Sequence, residues 1–228
     1  MGDLVVVGGA SGGLGPAVVT AFLARGDAVV GVGGPAQDVA QLADAQPGVE
    51  WHAADLTRQE AVEELWRRID ETGSARWVVN LAGGFRGGRV VDSSPEDYER
   101  MLGLNLAATW WSCRAAAARL AGGGGGGIVN VASRSALVSE GGAAAYTVAK
   151  AGVVKLTEVL AEEMKDSGVR VNAVVPALID TPQNRQGMPA GLMRKAVPPE
   201  AIAQVILFLC SEAASIVTGA VVPVYGQY

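Results

Sequence analysis

Seven short apolar runs recur along the chain, spaced by stretches long enough to form helices. They fall at 4–8 (LVVVG), 28–32 (AVVGV), 49–53 (VEWHA), 76–81 (RWVVNL), 127–132 (GIVNVA), 169–175 (VRVNAVV) and 220–224 (AVVPV). Runs this apolar imply strands buried on both faces, and helix-length spacers imply crossovers between parallel strands. The amphipathic or alanine-rich spacers place helices at 14–25, 36–45, 58–72, 95–120, 145–167 and 199–211. Pro95 and Pro199 suit the first turns of their helices, and Ser94 suits an N-cap. The pattern predicts an α/β fold, a doubly wound parallel sheet of about seven strands with helices on both faces. No linker or composition shift divides residues 1–228, which read as a single domain.

Half of the 228 residues are apolar and only 18% are charged, which favours a large, well-buried core. The net charge of −5 and the absence of a basic cluster argue against a nucleic-acid partner. A single histidine, His52, excludes a multi-histidine metal site, and its strand-like surroundings suit a structural role. Cys113 and Cys210 lie in apolar, helix-like segments, which fits a reducing compartment rather than a disulfide framework. Residues 4–24 carry no charge over 21 positions, the length of a membrane span. Five glycines and Pro16 interrupt that stretch, and no Lys or Arg precedes it, so strand, loop and helix is the better reading. A soluble, cytoplasmic protein without membrane partners is expected. The glycine tract at 122–127 reads as a flexible turn.

Ligands of such sheets bind beyond the carboxyl ends of the strands. Those positions hold Gly9–Gly15, Asp55, Asn80–Gly83, Ser133 and Pro176–Thr181. GGASGGLG follows the first strand and opens a helix, with Gly9, Gly13 and Gly15 spaced GxxxGxG. Glycines let a pyrophosphate approach the backbone, and a helix N-terminus supplies N–H donors and a positive dipole. Methyltransferases and flavoproteins carry related loops, so the loop alone leaves the ligand open.

AYTVAK at 145–150 sets Tyr146 four residues before Lys150, on one helix face. A free tyrosine has a pKa near 10, and a neighbouring ammonium favours the phenolate. At about 4 Å the attraction is about 4 kcal/mol for an effective dielectric near 20. Lys150 is therefore expected to pull the Tyr146 pKa down.

Together these motifs resemble those of the short-chain dehydrogenase/reductase family, across nearly the whole chain. NLAG at 80–83 is similar to the family's Asn-Asn-Ala-Gly; Asn105 lies in LNLAAT, Ser133 in VNVAS, and Tyr146 and Lys150 form YxxxK. VNAVVPALIDT at 171–181 resembles the family's stretch after the sixth strand, and VTGAVVPVYG near the end resembles its last strand. The resemblance implies a Rossmann-type sheet and an NAD(P)-dependent oxidoreductase acting on a small carbonyl or alcohol. It implies that Tyr146 exchanges the proton, Ser133 holds the substrate oxygen, and Lys150 tunes Tyr146 and bonds the nicotinamide ribose. Asn105 would anchor a water that links Lys150 to solvent. It places Gly9, Ser11, Gly13, Leu14, Gly15, Gly33, Asp55, Leu56, Asn80, Ala82, Gly83, Pro176, Ile179 and Thr181 against the cofactor, with Asp55 accepting from the adenine amino group. It also implies a homodimer or homotetramer packed through 95–120 and 145–167.

The chain departs from the family pattern in several places. Gly8 stands where a threonine is usual, Leu81 replaces the second Asn, Ala177 replaces a glycine, and Tyr225 stands where an aspartate is common. The positions that choose between NAD and NADP are Gly33 and Gly34, with neither an acid nor a cation; the lean is to NAD. Prolines and glycines at 182–198 argue against a long lid helix there. Met188, Leu192 and Met193 suit an apolar substrate body, Arg185, Arg194 and Lys195 suit solvated lid charges or an acidic handle, and Phe85, Arg86 and Arg89 suit a second wall. The reaction expected is that of a ketoreductase or alcohol dehydrogenase, with a reductase of carrier-linked 3-oxoacyl groups or of secondary metabolism as subclasses. A non-catalytic cofactor-binding regulator of the same fold is the alternative. A sugar-nucleotide epimerase would need a substrate domain, and a methyltransferase would not need YxxxK.

Overall fold

The computed structural model describes residues 2–34 and 36–227, apart from the side chains of Ala36 and Gln37. Seven strands form one sheet: β1 (Leu4–Gly8), β2 (Ala28–Gly33), β3 (Val49–Ala53), β4 (Ala75–Asn80), β5 (Gly126–Val131), β6 (Val169–Pro176) and β7 (Val221–Val224). Their order is β3-β2-β1-β4-β5-β6-β7, and every pair is parallel. The chain winds outward from β1 to β3, then returns to build the other half from β4, so β1 and β4 flank the switch point.

Nine helices cross over the sheet or cap its edge among the described residues: α1 (Gly15–Arg25), α2 (Ala36–Ala45), α3 (Gln59–Thr72), α4 (Pro95–Leu102), α5 (Ala108–Gly122), α6 (Ala144–Met164), α7 (Pro182–Gly187), α8 (Ala190–Met193) and α9 (Pro199–Leu209). Strand alternation divides the core into two layers. Val5, Val7 and Val29 face one layer with Phe22 of α1 and Ile206 of α9. Val6, Val30 and Val32 face the other with Trp66 of α3, Leu120 of α5 and Leu160 of α6. This double burial is the physical reason that the strands read as valine-rich runs.

Two expectations need correction. The helix expected over 95–120 is broken: a π-turn, Gly103–Ala107, separates α4 from α5. Asn105 sits within it, fully buried, and its side-chain amide donates to Met101 O (3.0 Å) and Gly84 O (2.9 Å). A wide turn of this kind moves a side chain off the regular helical face. The glycine tract is more than a flexible turn. Gly122 ends α5, while Gly126 and Gly127 begin β5 and are buried. Gly126 has φ +147°, and a Cβ there would lie 2.2 Å from Arg76 O. The 182–198 segment forms the short helices α7 and α8, as its breakers predict. Ser94 caps α4 by accepting from Asp97 N at 3.1 Å. The uncharged 4–24 stretch divides into β1 and α1, and no described helix is long and apolar enough to cross a membrane.

Candidate active site

Two cavities open along the carboxyl edge of the sheet, and they share Gly9, Gly12, Leu81 and Gly83. One arm, about 500 Å³, lies over β2 and β3 and touches Ser11, Gly33, Gly34, Asp55, Leu56 and Ala82. The other, about 510 Å³, lies over β5 and β6 and touches Asn105, Ser133, Tyr146, Lys150, Pro176, Ile179 and Thr181. The expected site residues therefore converge on one bent cleft, with two exceptions.

Asn80 is turned away from it. It is 2% exposed and bonds Asn130 Oδ1 (2.8 Å) and Ser112 Oγ (2.6 Å) beneath the sheet edge. Its role is to join β4, β5 and α5 through a buried polar network that extends to Thr157. Gly15 is also off the cleft wall; a Cβ there would strike Ala10 O at 1.8 Å, so it permits the tight entry to α1. Leu81, Gly12 and Thr57 line the cleft although the motif reading did not single them out as contacts, and Gly34 lines it as expected of a position that chooses between NAD and NADP. For Gly12 the signal was its place within the glycine loop. For Leu81 it was masked by the family's asparagine at that position.

The first loop is shaped for a ligand that needs bare backbone. Gly9 has φ +78°, and a Cβ there would lie 2.5 Å from Ala82 N. A Cβ on Gly13 would lie 2.7 Å from Thr181 Cγ2, and one on Gly83 would lie 2.7 Å from Asn105 Oδ1 and 3.2 Å from Lys150 Nζ. The loop opens α1, an 11-residue helix with no acid in its first turn, so its dipole faces the cleft unopposed. The bare backbone and helix N-terminus fit a dinucleotide, whose phosphates Gly12 and Gly13 would hold. Asp55 lines the arm over β2 and β3, with Oδ1 accepting from Thr57 N (3.0 Å) and Thr57 Oγ1 (2.6 Å).

In the other arm, Ser133 lies two residues past β5, capping a short 3-10 turn over 134–136, and Tyr146 occupies the first turn of α6. Burial raises the Tyr146 pKa, and a hydrogen bond with the Ser133 side chain works against that rise. Ser135 Oγ donates to Ser133 Oγ at 3.2 Å and holds it in place. Lys150 is 4% exposed and donates to Val131 O at 2.9 Å. Burial pushes its own pKa down to about 8. The expected depression of Tyr146 by Lys150 is thus not the balance found here. The ammonium is turned onto a strand-end carbonyl, and desolvation dominates the phenol. The Asn105 side chain pins the loop after β4, with Oδ1 accepting from Gly84 N at 3.2 Å.

Residues 9–226 match a family model described as enoyl-(acyl carrier protein) reductase. The chain belongs to the short-chain dehydrogenase/reductase family. It is 32% identical to the 2-(R)-hydroxypropyl-CoM dehydrogenase of Xanthobacter autotrophicus, covering 100% of this chain and 99% of that one. It is 33% identical to the meso-2,3-butanediol dehydrogenase of Serratia marcescens, over 98% and 93% of the two chains. A 3-oxoacyl-[acyl-carrier protein] reductase of Brucella melitensis, solved with bound NAD, superposes with a TM-score of 0.88 at 28% identity, covering 99% of this chain and 90% of that one. As a short-chain dehydrogenase/reductase, the chain is an oxidoreductase that moves hydride between a nicotinamide cofactor and a carbonyl or alcohol carbon.

Some family departures prove mild. Ala177 replaces a glycine without strain, because every described residue with positive φ is itself a glycine. Arg185 is held by Asp180 through two bonds (2.6 and 2.8 Å), which leaves it as a lid ion pair. Arg86 pairs with Asp97 at 2.9 Å and Arg89 with Asp92 at 3.7 Å.

Proposed function

We propose that this enzyme, acting as one cofactor-binding and catalytic unit, reduces a neutral ketone or aldehyde, with Tyr146 as proton donor. The observation that carries the reading is the convergence of Ser133, Tyr146 and Lys150 on one cleft continuous with the glycine loop. Tyr146 kept protonated by burial is equipped to give a proton. Ser133, fixed by Ser135 beside the phenol, is placed to hold the same substrate oxygen and to stabilise its developing charge. Lys150 is an ammonium below about pH 8 and brings positive charge to the rear of the site. The cofactor, when bound, supplies the hydride that no side chain can. Asn105 keeps the loop after β4 against this arm through both atoms of its amide.

NAD is the favoured cofactor. Adenosine would lie in the arm over β2 and β3, where Asp55 is the one charged side chain among the described lining residues and no lining cation awaits a 2′-phosphate. In the substrate arm the charged lining residues are Arg134 and Glu140, which pair with each other, and the buried Lys150. That supports an uncharged substrate with an apolar body facing Phe85, Leu178 and Met188. Exposed Tyr98, Trp110 and Val159 on α4, α5 and α6 support assembly as a homodimer or homotetramer.

The test is Tyr146→Phe. It should keep NADH binding, measured by fluorescence titration, while turnover with a carbonyl panel falls by about two orders of magnitude or more. Normal turnover in that variant would remove Tyr146 as the acid. Failure of the parent protein to bind either NADH or NADPH would favour a non-catalytic role.

A further inference from the structure

Phe85 stands out on the cleft wall. It is a large aromatic left 60% exposed, and its ring meets Tyr146 edge to face, with centroids 5.1 Å apart and planes at 79°. The segment that carries it, residues 84–88, is pinned at both ends. At its start, the Asn105 side chain accepts from Gly84 N (3.2 Å) and donates to Gly84 O (2.9 Å). At its end, Gly88 N donates to Gly142 O (2.7 Å) and Ala144 N donates to Gly88 O (2.9 Å). Ala144 opens α6, two residues before Tyr146. Small residues allow this close approach: a Cβ on Gly84 would lie 3.3 Å from Leu104, and one on Gly87 would lie 3.1 Å from Gly142 O. Phe85 therefore rides on a strap fixed by the π-turn on one side and by the first turn of α6 on the other.

Resting on the reading of Tyr146 as proton donor, we infer that Phe85 is a positioning and specificity-determining residue: its edge-to-face contact fixes and shields the phenol, and its exposed surface receives the apolar substituent of the substrate carbonyl. An aromatic pair of this geometry has a preferred orientation beyond simple area burial. The exposed ring also offers an apolar surface that the fold itself leaves uncovered. The charged and titratable groups around Tyr146 give no rival explanation for the wall. Lys150 from α6 bonds Val131 O, Arg134 and Glu140 from the segment after β5 pair with each other, and Arg86 on the strap pairs with Asp97. The lid contributes the uncharged Gln183, Asn184 and Met188.

Two measurements test this. The first needs no cofactor: tyrosinate absorbance is titrated for the parent and for Tyr146→Phe, and the difference isolates the Tyr146 phenol. The same subtraction is made in Phe85→Ala and Phe85→Trp backgrounds. Burial raises the phenol's pKa, so removing the shield in Phe85→Ala should move its titration to lower pH, and Phe85→Trp should restore it. An unmoved titration in Phe85→Ala overturns the positioning role. The second measures kcat and KM for butan-2-one through octan-2-one with NADH and NADPH supplied together. In the parent, kcat/KM should rise with chain length; Phe85→Ala should lower it about tenfold for octan-2-one and little for butan-2-one, and Phe85→Trp should recover it. A parent without that rise, or an unchanged preference in Phe85→Ala, overturns the specificity role. Full turnover by Tyr146→Phe would instead defeat the proton-donor reading, while the titration would still report the Phe85 contact.

Discussion

Burial acts on Tyr146 and Lys150 in opposite senses of charge. It penalises the charged form of each, so the phenol stays neutral and the ammonium is easier to discharge. Lys150 falls from an ordinary 10.5 to about 8. Between those two values the folded chain binds fewer protons at this position than the unfolded chain does. Stability attributable to Lys150 is therefore present above about pH 10.5 and is lost as pH falls toward 8. The full effect is roughly 3 kcal/mol. Lys150→Met removes this dependence, so its Tm relative to the parent should be higher near pH 7 than near pH 10.5, with turnover lost throughout. A difference in Tm that does not change with pH would place Lys150 in a less buried setting than the one described.

At the scale of elements, the site depends on where strands stop and how closely loops approach. β2 ends at Gly33 and Gly34 follows it, and the two glycines are not equivalent. A Cβ on Gly33 would lie 2.6 Å from Val39 Cγ2, whereas Gly34 has nothing within 4 Å. Gly34→Arg is thus sterically free and should shift binding toward NADPH over NADH by about tenfold, as read by paired titrations. An unchanged preference would mean that the ribose lies elsewhere. β5 begins against two neighbours, and Gly126→Ala would combine an unfavourable φ with a backbone clash at Arg76 O. It should lower stability by about 3 kcal/mol in a denaturation experiment. Stability within a few tenths of the parent would mean that this edge relaxes freely.

For the whole molecule, two apolar layers enclose the sheet, yet several large apolar side chains remain outside them. Trp110 is 49% exposed at the start of α5, Tyr98 is 53% exposed on α4 and Val159 is 47% exposed on α6. Large apolar side chains left exposed on neighbouring helices suit an interaction face. Sedimentation should find the parent as a dimer or tetramer. Trp110→Glu should shift it toward monomer at micromolar concentration, since an unpaired charge is costly in a buried interface. A monomeric parent would leave this face without a role in self-association.

The strand count, the helix crossovers and the glycine loop were legible in the chain because each rests on a local pattern. Valine-rich runs need two buried faces, and Tyr146 and Lys150 share a helix face by spacing alone. The sequence by itself therefore determined the sheet and the family of residues at its carboxyl edge. Tertiary structure decided what spacing cannot encode. The π-turn at Asn105 forms around contacts with Gly84, 21 residues away in the chain. Asn80 turns inward because Asn130 and Ser112 satisfy its amide across two other elements. The direction of the Tyr146 pKa depends on how much surrounding protein removes water, and that outweighs a lysine four residues away whose ammonium is bonded to Val131 O. Hydrogen-bond satisfaction and desolvation are sums over neighbours brought together by folding, so a linear pattern names the residues without fixing their balance.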